Sequence, residues 1–337
     1  MLGVAVLGCG RIGRMHAANV AAHPGARLAR VYDIDAPAAE AVARELGSTA
    51  AASAEDVFTD PEVEAVLIAT VTDTHADFIE AGVAARKPVL CEKPIDLDFA
   101  RVERCAAAIS GSDVPVQIGF NRRFDPGHRA ARTALEAGEI GDLHQVIITS
   151  RDPGMPPRSY YETAGGLLRD MTIHDFDLAR FLLGEEPVEV FAVAGGLVDP
   201  GLMDELSDHD TAMIVMRTAS GKQCHINNSR ASTYGYDQRV ELLGSDGMVT
   251  SENRHPHGLR RFGSRGTGAA EPFEHFFVER YREAFVAEID AFIASIRDGT
   301  PPQVGFEDGR RALMLAEAAY RSIAEKRLVA VSEIGQM

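Results

Sequence analysis

Cysteine is scarce in this chain, basic residues are outnumbered, and no apolar run approaches a membrane span. The four cysteines, Cys9, Cys91, Cys105 and Cys224, are scattered through 337 residues, with neither the paired spacing of a zinc site nor the density of a disulfide scaffold. A reducing compartment suits them. Met1 leads straight into an apolar run, without the basic segment and cleavage site of a secretory signal, so a cytoplasmic location is expected. With 34 basic against 50 acidic residues the formal net charge is −16, and no window gathers the cations needed to neutralise phosphates, which argues against nucleic acid as a partner. The longest apolar stretches, such as Ala65 to Val71, fall well short of the ~20 residues of a transmembrane helix. No membrane span is expected.

What is present is the balance of an ordinary globular protein, 45% hydrophobic and 25% charged, in a chain longer than the ~100 to 200 residues of one domain. Short apolar runs alternate with amphipathic stretches through the first 120 residues, as strands and crossover helices do in a parallel sheet. The pattern predicts strands at Leu2 to Gly8, Arg27 to Asp33, Ala65 to Val71, Pro88 to Glu92 and Pro115 to Phe120. Helices fill Ile12 to Ala22, Ala36 to Leu46, Thr74 to Ala85 and Leu97 to Ser110. This is an α/β fold with a doubly wound Rossmann sheet over residues 1–120. Residues 121–337 read as a second α/β domain. Its helices are expected at Pro126 to Ala137 and from about Asp170 to Leu183. Strands at Leu143 to Ser150, Val188 to Ala194, Asp210 to Arg217, Lys222 to Asn228, Gln238 to Leu243 and Met248 to Ser251 make a large open, mainly antiparallel sheet. Ser251 to Glu274 reads as an exposed loop, and helices at Phe277 to Arg297 and Glu307 to Lys326 close the chain.

Gly8-Cys9-Gly10-Arg11-Ile12-Gly13 is a GxGxxG hexad that follows a buried strand and opens a helix, with Asp33 ending the next strand. In that context Gly8 and Gly10 allow a tight turn and a close approach of backbone to a pyrophosphate, which then faces the N–H groups of Arg11, Ile12 and Gly13 at the positive end of the helix. Gly13 lets helix and strand pack closely. A carboxylate at Asp33 accepts both ribose hydroxyls and repels a 2′-phosphate, so NAD is favoured over NADP.

Glu92-Lys93-Pro94 lies at the carboxyl end of a strand, where such sheets place ligands, and Pro94 keeps Lys93 in an extended turn. Asp170 and His174, four apart, fall on one face of the expected helix. Alcohol oxidation needs a base for the hydroxyl proton, a role that suits imidazole near neutrality. Asp175 and Asp177 read as solvated or capping acids. No metal-ligand set is apparent, and direct hydride transfer requires none.

The glycine hexad with Asp33, Glu92-Lys93-Pro94, Gln117 to Phe124, and the Asp170 and His174 pair, in this order and spacing, resemble the Gfo/Idh/MocA oxidoreductases over nearly the whole length. The resemblance implies NAD-dependent oxidation of a polyol, with myo-inositol the first candidate substrate, in a homotetramer whose substrate pocket lies between the two domains. It implies that His174 is the base, Asp170 its orienting partner and Lys93 the donor to the reacting hydroxyl. Asn121, Arg122, Asp152, Tyr234 and Tyr236 fall where members contact the polyol. Thr70, Thr72 and His75, with Glu92 and Lys93, fall where the nicotinamide half of NAD is lined. Ser150-Arg151-Asp152 departs from the His-Arg-Asn of some inositol-oxidising members. Other inositols or aldoses, a glycoside hydrolase that retains its NAD, and a catalytically silent NAD-binding regulator are the competing readings.

Overall fold

The computed structural model describes residues 1–264 and 266–336, which form two compact units. The first contains residues 1–121 and 285–313, and the second residues 122–284 and 314–337.

The first unit is built on six parallel strands, β1 (Leu2–Leu7), β2 (Ala26–Tyr32), β3 (Thr49–Ala50), β4 (Ala65–Ile68), β5 (Val89–Cys91) and β6 (Val116–Ile118). They lie in the order β3-β2-β1-β4-β5-β6, which reverses direction at β1 and β4. That reversal is where a doubly wound sheet opens its ligand crevice. All four residues of β4 are buried, as expected of a central strand covered on both faces. Helices α1 (Arg11–Ala22), α2 (Ala36–Leu46), α3 (Ala54–Thr59), α4 (His75–Ala84) and α5 (Phe99–Ile109) make the crossovers. The sequence pattern overlooked β3 and α3, which are too short to show a period.

In the second unit, helix α6 (Pro126–Glu136) is capped by Asp125, whose carboxylate accepts the Gly127 and His128 N–H groups. Strand β7 (Leu143–Arg151) follows. After a helix that the pattern missed, α7 (Arg158–Ala164), the expected single helix from about Asp170 to Leu183 is instead divided between the end of α8 (Leu167–Asp170) and α9 (Thr172–Leu183). The break at Met171 separates Asp170, the last residue of α8, from His174 in the first turn of α9. The sheet continues with β8 (Pro187–Gly195), then, after α10 (Pro200–Leu206), β9 (Thr211–Thr218), β10 (Gln223–Ser229), β11 (Asp237–Gly244) and β12 (Met248–Ser251). The segment expected as loop contains a hairpin, β13 (Arg261–Gly263) with β14 (Gly266–Ala269). The seven-stranded order is β12-β11-β7-β10-β9-β8-β15, where β15 is Val329–Ala330. Among the described residues, β7 and β10 are the only strands of this sheet that pair in parallel, so it is mainly antiparallel.

The chain's last helices are α11 (Phe277–Arg280), α12 (Arg282–Asp298) and α13 (Phe306–Glu325). A division at residue 120 misses the return of residues 285–313 to the first unit. Its cause is an apolar face: Ile289, Phe292 and Ile293 bury among Val4, Val6, Val20 and Leu28 of the Rossmann core.

Candidate active site

The glycine hexad follows β1 directly and opens α1. Gly8 has φ +98°, and a Cβ there would lie 2.3 Å from the Ala69 carbonyl oxygen. A Cβ on Gly13 would lie 1.9 Å from the Gly8 oxygen, so strand and helix pack at a distance only glycine permits. Gly10 differs: a Cβ there meets nothing within 4 Å. Gly10 is the N-cap of α1, where no side chain caps the helix and no acid occupies the first turn. Backbone N–H groups free of a competing carboxylate suit an anion such as a pyrophosphate. Asp33 accepts the Cys9 N–H at 2.6 Å and the Asp35 N–H at 2.8 Å, which holds its carboxylate against the loop. Its remaining lone pairs suit a ribose diol. Burial, then the Asp33 charge, pushes the Cys9 thiol up to about 11, so it stays a thiol. These residues fit NAD.

Beyond β4, Thr70 and Thr74 share a hydroxyl hydrogen bond of 2.7 Å, and Thr72 begins a 3-10 turn over Thr72–Thr74. His75 is buried, with Nδ1 2.8 Å from the Pro94 oxygen and Nε2 3.2 Å from the Thr70 oxygen. Burial lowers its pKa, so the neutral ring donates once, and the shorter contact assigns the proton to Nδ1. His75 therefore ties the Glu92-Lys93-Pro94 turn to the start of α4. Glu92 extends β5, its N–H donating to the Ile68 oxygen at 2.9 Å. Its carboxylate meets His16 Nε2 at 2.7 Å. Lys93 follows at the strand end, and Asn121 is buried in the 3-10 turn Asn121–Phe124.

In the second unit Arg230 brings together residues expected at the site. Its guanidinium donates to Asp152 Oδ2 at 3.2 Å and to Asp170 Oδ2 at 2.8 Å. The Tyr160 hydroxyl donates to Asp170 Oδ1 at 2.8 Å. Burial holds the Asp152 carboxyl above the usual range, against the pull of Arg230. His174 is half-buried one turn beyond Asp170. Arg122 is buried and forms a short ion pair with Asp175, and Arg122 also donates to Ser150 Oγ at 3.2 Å. Asn228 donates to the other Asp175 oxygen at 2.8 Å. Asp175 and Asp177 are thus not solvated: both are buried, and Asp177 pairs with Arg123 and Arg180. Tyr234 donates to Asp237 at 2.8 Å and is 42% exposed, whereas Tyr236 is 5% exposed against Phe276 and Tyr281.

Arg230, Tyr160 and His16 escaped the sequence reading. Arg230 and Tyr160 carry no spacing signal. His16 sits where a buried face of α1 was already expected, and an imidazole there reads as core.

The chain matches known proteins over nearly its whole length. Residues 2–120 match the family model for an oxidoreductase family with an NAD-binding Rossmann fold, and residues 128–250 match the GFO/IDH/MocA C-terminal domain. The chain is 47% identical over 328 residues to an inositol 2-dehydrogenase of Rhizobium meliloti (strain 1021), covering 97% of this chain and 98% of that one. It is 40% identical over 332 residues to a myo-inositol 2-dehydrogenase of Thermotoga maritima, with 98% and 99% covered. The crystal structure of a scyllo-inositol dehydrogenase from Lactobacillus casei, with bound NAD(H) and scyllo-inositol, superposes with a TM-score of 0.90 at 27% identity, covering 98% of this chain and 99% of that one. With its glycine hexad, its Asp33 and two matching domains, the chain belongs to the Gfo/Idh/MocA family of NAD-dependent oxidoreductases.

Proposed function

We propose that this enzyme oxidises the C2 hydroxyl of myo-inositol to 2-keto-myo-inositol. The observation that carries the reading is the near-full-length similarity to two inositol dehydrogenases, at 47% and 40% identity, in a chain with Lys93, Asp170 and His174 at the expected spacing. NAD, when bound, supplies the hydride acceptor. His174 takes the hydroxyl proton as the C–H hydride departs, leaving the ketone. Asp170 orients His174, and Lys93 donates to the reacting oxygen, stabilising the charge that develops there. No metal enters this scheme.

A polyol ring offers hydroxyl donors to carboxylates and hydroxyl acceptors to a guanidinium. Asp152 and Asp170, spanned by Arg230, supply both kinds of partner. Asn121, Arg122, Tyr234 and Tyr236 complete the proposed polyol contacts, and Tyr234 is the more accessible of the two tyrosines. Thr70 and Thr72 are assigned to the nicotinamide half of NAD, with His75 and Glu92 behind them.

The test is absorbance of reduced cofactor with myo-inositol, scyllo-inositol and glucose supplied in turn. Fastest net NADH formation with myo-inositol supports the reading. Preference for scyllo-inositol or glucose replaces the substrate, and no net NADH with any of them points to the NAD-retaining hydrolase or the silent regulator.

A homotetramer is proposed on a face of the second sheet. Phe191 pairs with Val215, and Val193 with Met213, across β8 and β9, and all four are exposed. An apolar patch of this kind marks an interaction surface, and light scattering at four times the chain mass tests it. Among the described residues no helix is long and apolar enough to cross a membrane. The four cysteines are free and buried, which supports a cytoplasmic assignment.

A further inference from the structure

Behind Glu92 lies a buried cluster that the proposed chemistry does not use. His16 on α1 and Glu288 on α12, both within the first unit, have no solvent exposure. One side-chain nitrogen or oxygen atom from each of His16, Glu92 and Glu288 lies within 4.8 Å of the others. The His16 ring stands edge-on to Phe285, with centroids 5.6 Å apart. Since the Glu92 carboxylate only accepts, His16 Nε2 donates to it. Among the described residues no donor reaches either carboxyl oxygen of Glu288, nor the Gln117 Oε1 beside it. The Gln117 amide nitrogen is turned to the Glu288 backbone oxygen at 3.2 Å.

Two adjacent carboxylates in such a place repel each other and lack solvation, and no Lys or Arg is among the charged groups acting on Glu288. The groups facing it are His16 from α1, Glu92 from the end of β5 and the neutral Gln117 from β6. A proton on Glu288 removes one of the two charges and turns an acceptor into a donor aimed at the cluster.

We propose that Glu288 is held as a neutral acid and that, with His16, it forms a buried positioning cluster which fixes Glu92, and so the Lys93 turn, to the helix that opens at the glycine hexad. Burial, followed by the Glu92 charge, holds the Glu288 acid well above the carboxylate range. Glu92 has little room to choose another conformation. Its second oxygen abuts Gly119, where a Cβ would be 3.0 Å away, and its backbone N–H is engaged by Ile68. The positioning half of the proposal rests on the role given to Lys93 above, while the protonation half does not.

The tests separate the two halves. Infrared spectra of the cofactor-free protein at neutral pH should show a carboxylic-acid carbonyl band that Glu288→Gln abolishes. A group whose folded value is raised loses its contribution to stability as the pH rises through that value. The Tm advantage of Glu288→Gln over wild type should therefore widen between pH 5 and pH 9. Gln is isosteric with the neutral acid and folds under either account. Absence of the band, or a flat Tm difference, overturns the protonation. So does a thermal shift with zinc or manganese in the wild type that Glu288→Gln lacks, which would make the cluster a metal site.

For positioning, His16→Leu should lower kcat about 10- to 100-fold with NAD affinity retained. His16→Gln, which can still donate to Glu92, should recover much of it. If Leu does not fold, His16→Asn, too short to reach, replaces it. Lys93→Ala inactive with His16→Leu unimpaired overturns the positioning, as do equal losses in Leu and Gln. Lys93→Ala fully active overturns the role of Lys93 instead, leaving the infrared and Tm results standing.

Discussion

The Arg230 guanidinium donates to the Asp170 carboxylate at 2.8 Å, with both side chains buried. Its other arm reaches Asp152, so one cation from β10's end neutralises two acids of the proposed polyol site. Removing Arg230 takes that cation away from both acids at once.

Arg230→Ala is expected to destabilise the protein by about 3 to 5 kcal/mol, the usual consequence of removing one partner from a buried ion pair. The loss should be larger at pH 8 than at pH 5. Burial already raises the Asp152 carboxyl in the folded state, so its contribution is in place at low pH and lost as the pH rises through the folded value. Removing Arg230 raises that value further, and the acid can then be accommodated protonated only at the lower pH. Urea unfolding at the two pH values checks the sign.

Two glycines of one hexad should respond in opposite ways. Gly13→Ala places a Cβ 1.9 Å from the Gly8 oxygen, and the forced separation of β1 and α1 should lower stability by about 1 to 3 kcal/mol or more. Gly10→Ala meets no protein atom within 4 Å, so its Tm should be unchanged while NAD affinity falls. Melting curves with and without NAD distinguish the pair.

Asp33 is the residue proposed to select the dinucleotide. Asp33→Ala removes a carboxylate fixed by the Cys9 and Asp35 N–H groups, and should weaken NAD binding about 10- to 100-fold, the worth of a charge-assisted hydrogen bond. NADP binding should improve relative to NAD, since the repulsion of its 2′-phosphate is gone. Fluorescence titration with both reduced cofactors measures the ratio.

The glycine hexad, the alternation of strand and helix, and the second sheet were legible because each leaves a local signature: a fixed spacing, a period or a turn. What was not legible depends on partners distant in sequence. Asp175 and Asp177 follow His174 near the start of α9, where acids are ordinarily solvated, and what makes their burial possible is partners such as Arg122 and Asn228 for Asp175 and Arg123 for Asp177. The break at Met171 has no proline to announce it, and glycines at 165 and 166 with positive φ precede it. Residues 285–313 carry the period of any amphipathic helix, which states that a face is buried but not in which unit. Glu288 was hidden for the same reason, as a charged residue on a helix whose other faces look ordinary.

His174 is proposed to take the proton of the hydroxyl being oxidised. Steady-state NADH formation from myo-inositol by wild type and His174→Ala, with NAD binding measured on the same preparations, tests it most directly. A fall in turnover of at least ~100-fold with NAD affinity nearly intact is the predicted result. Turnover close to wild type in the variant would contradict it.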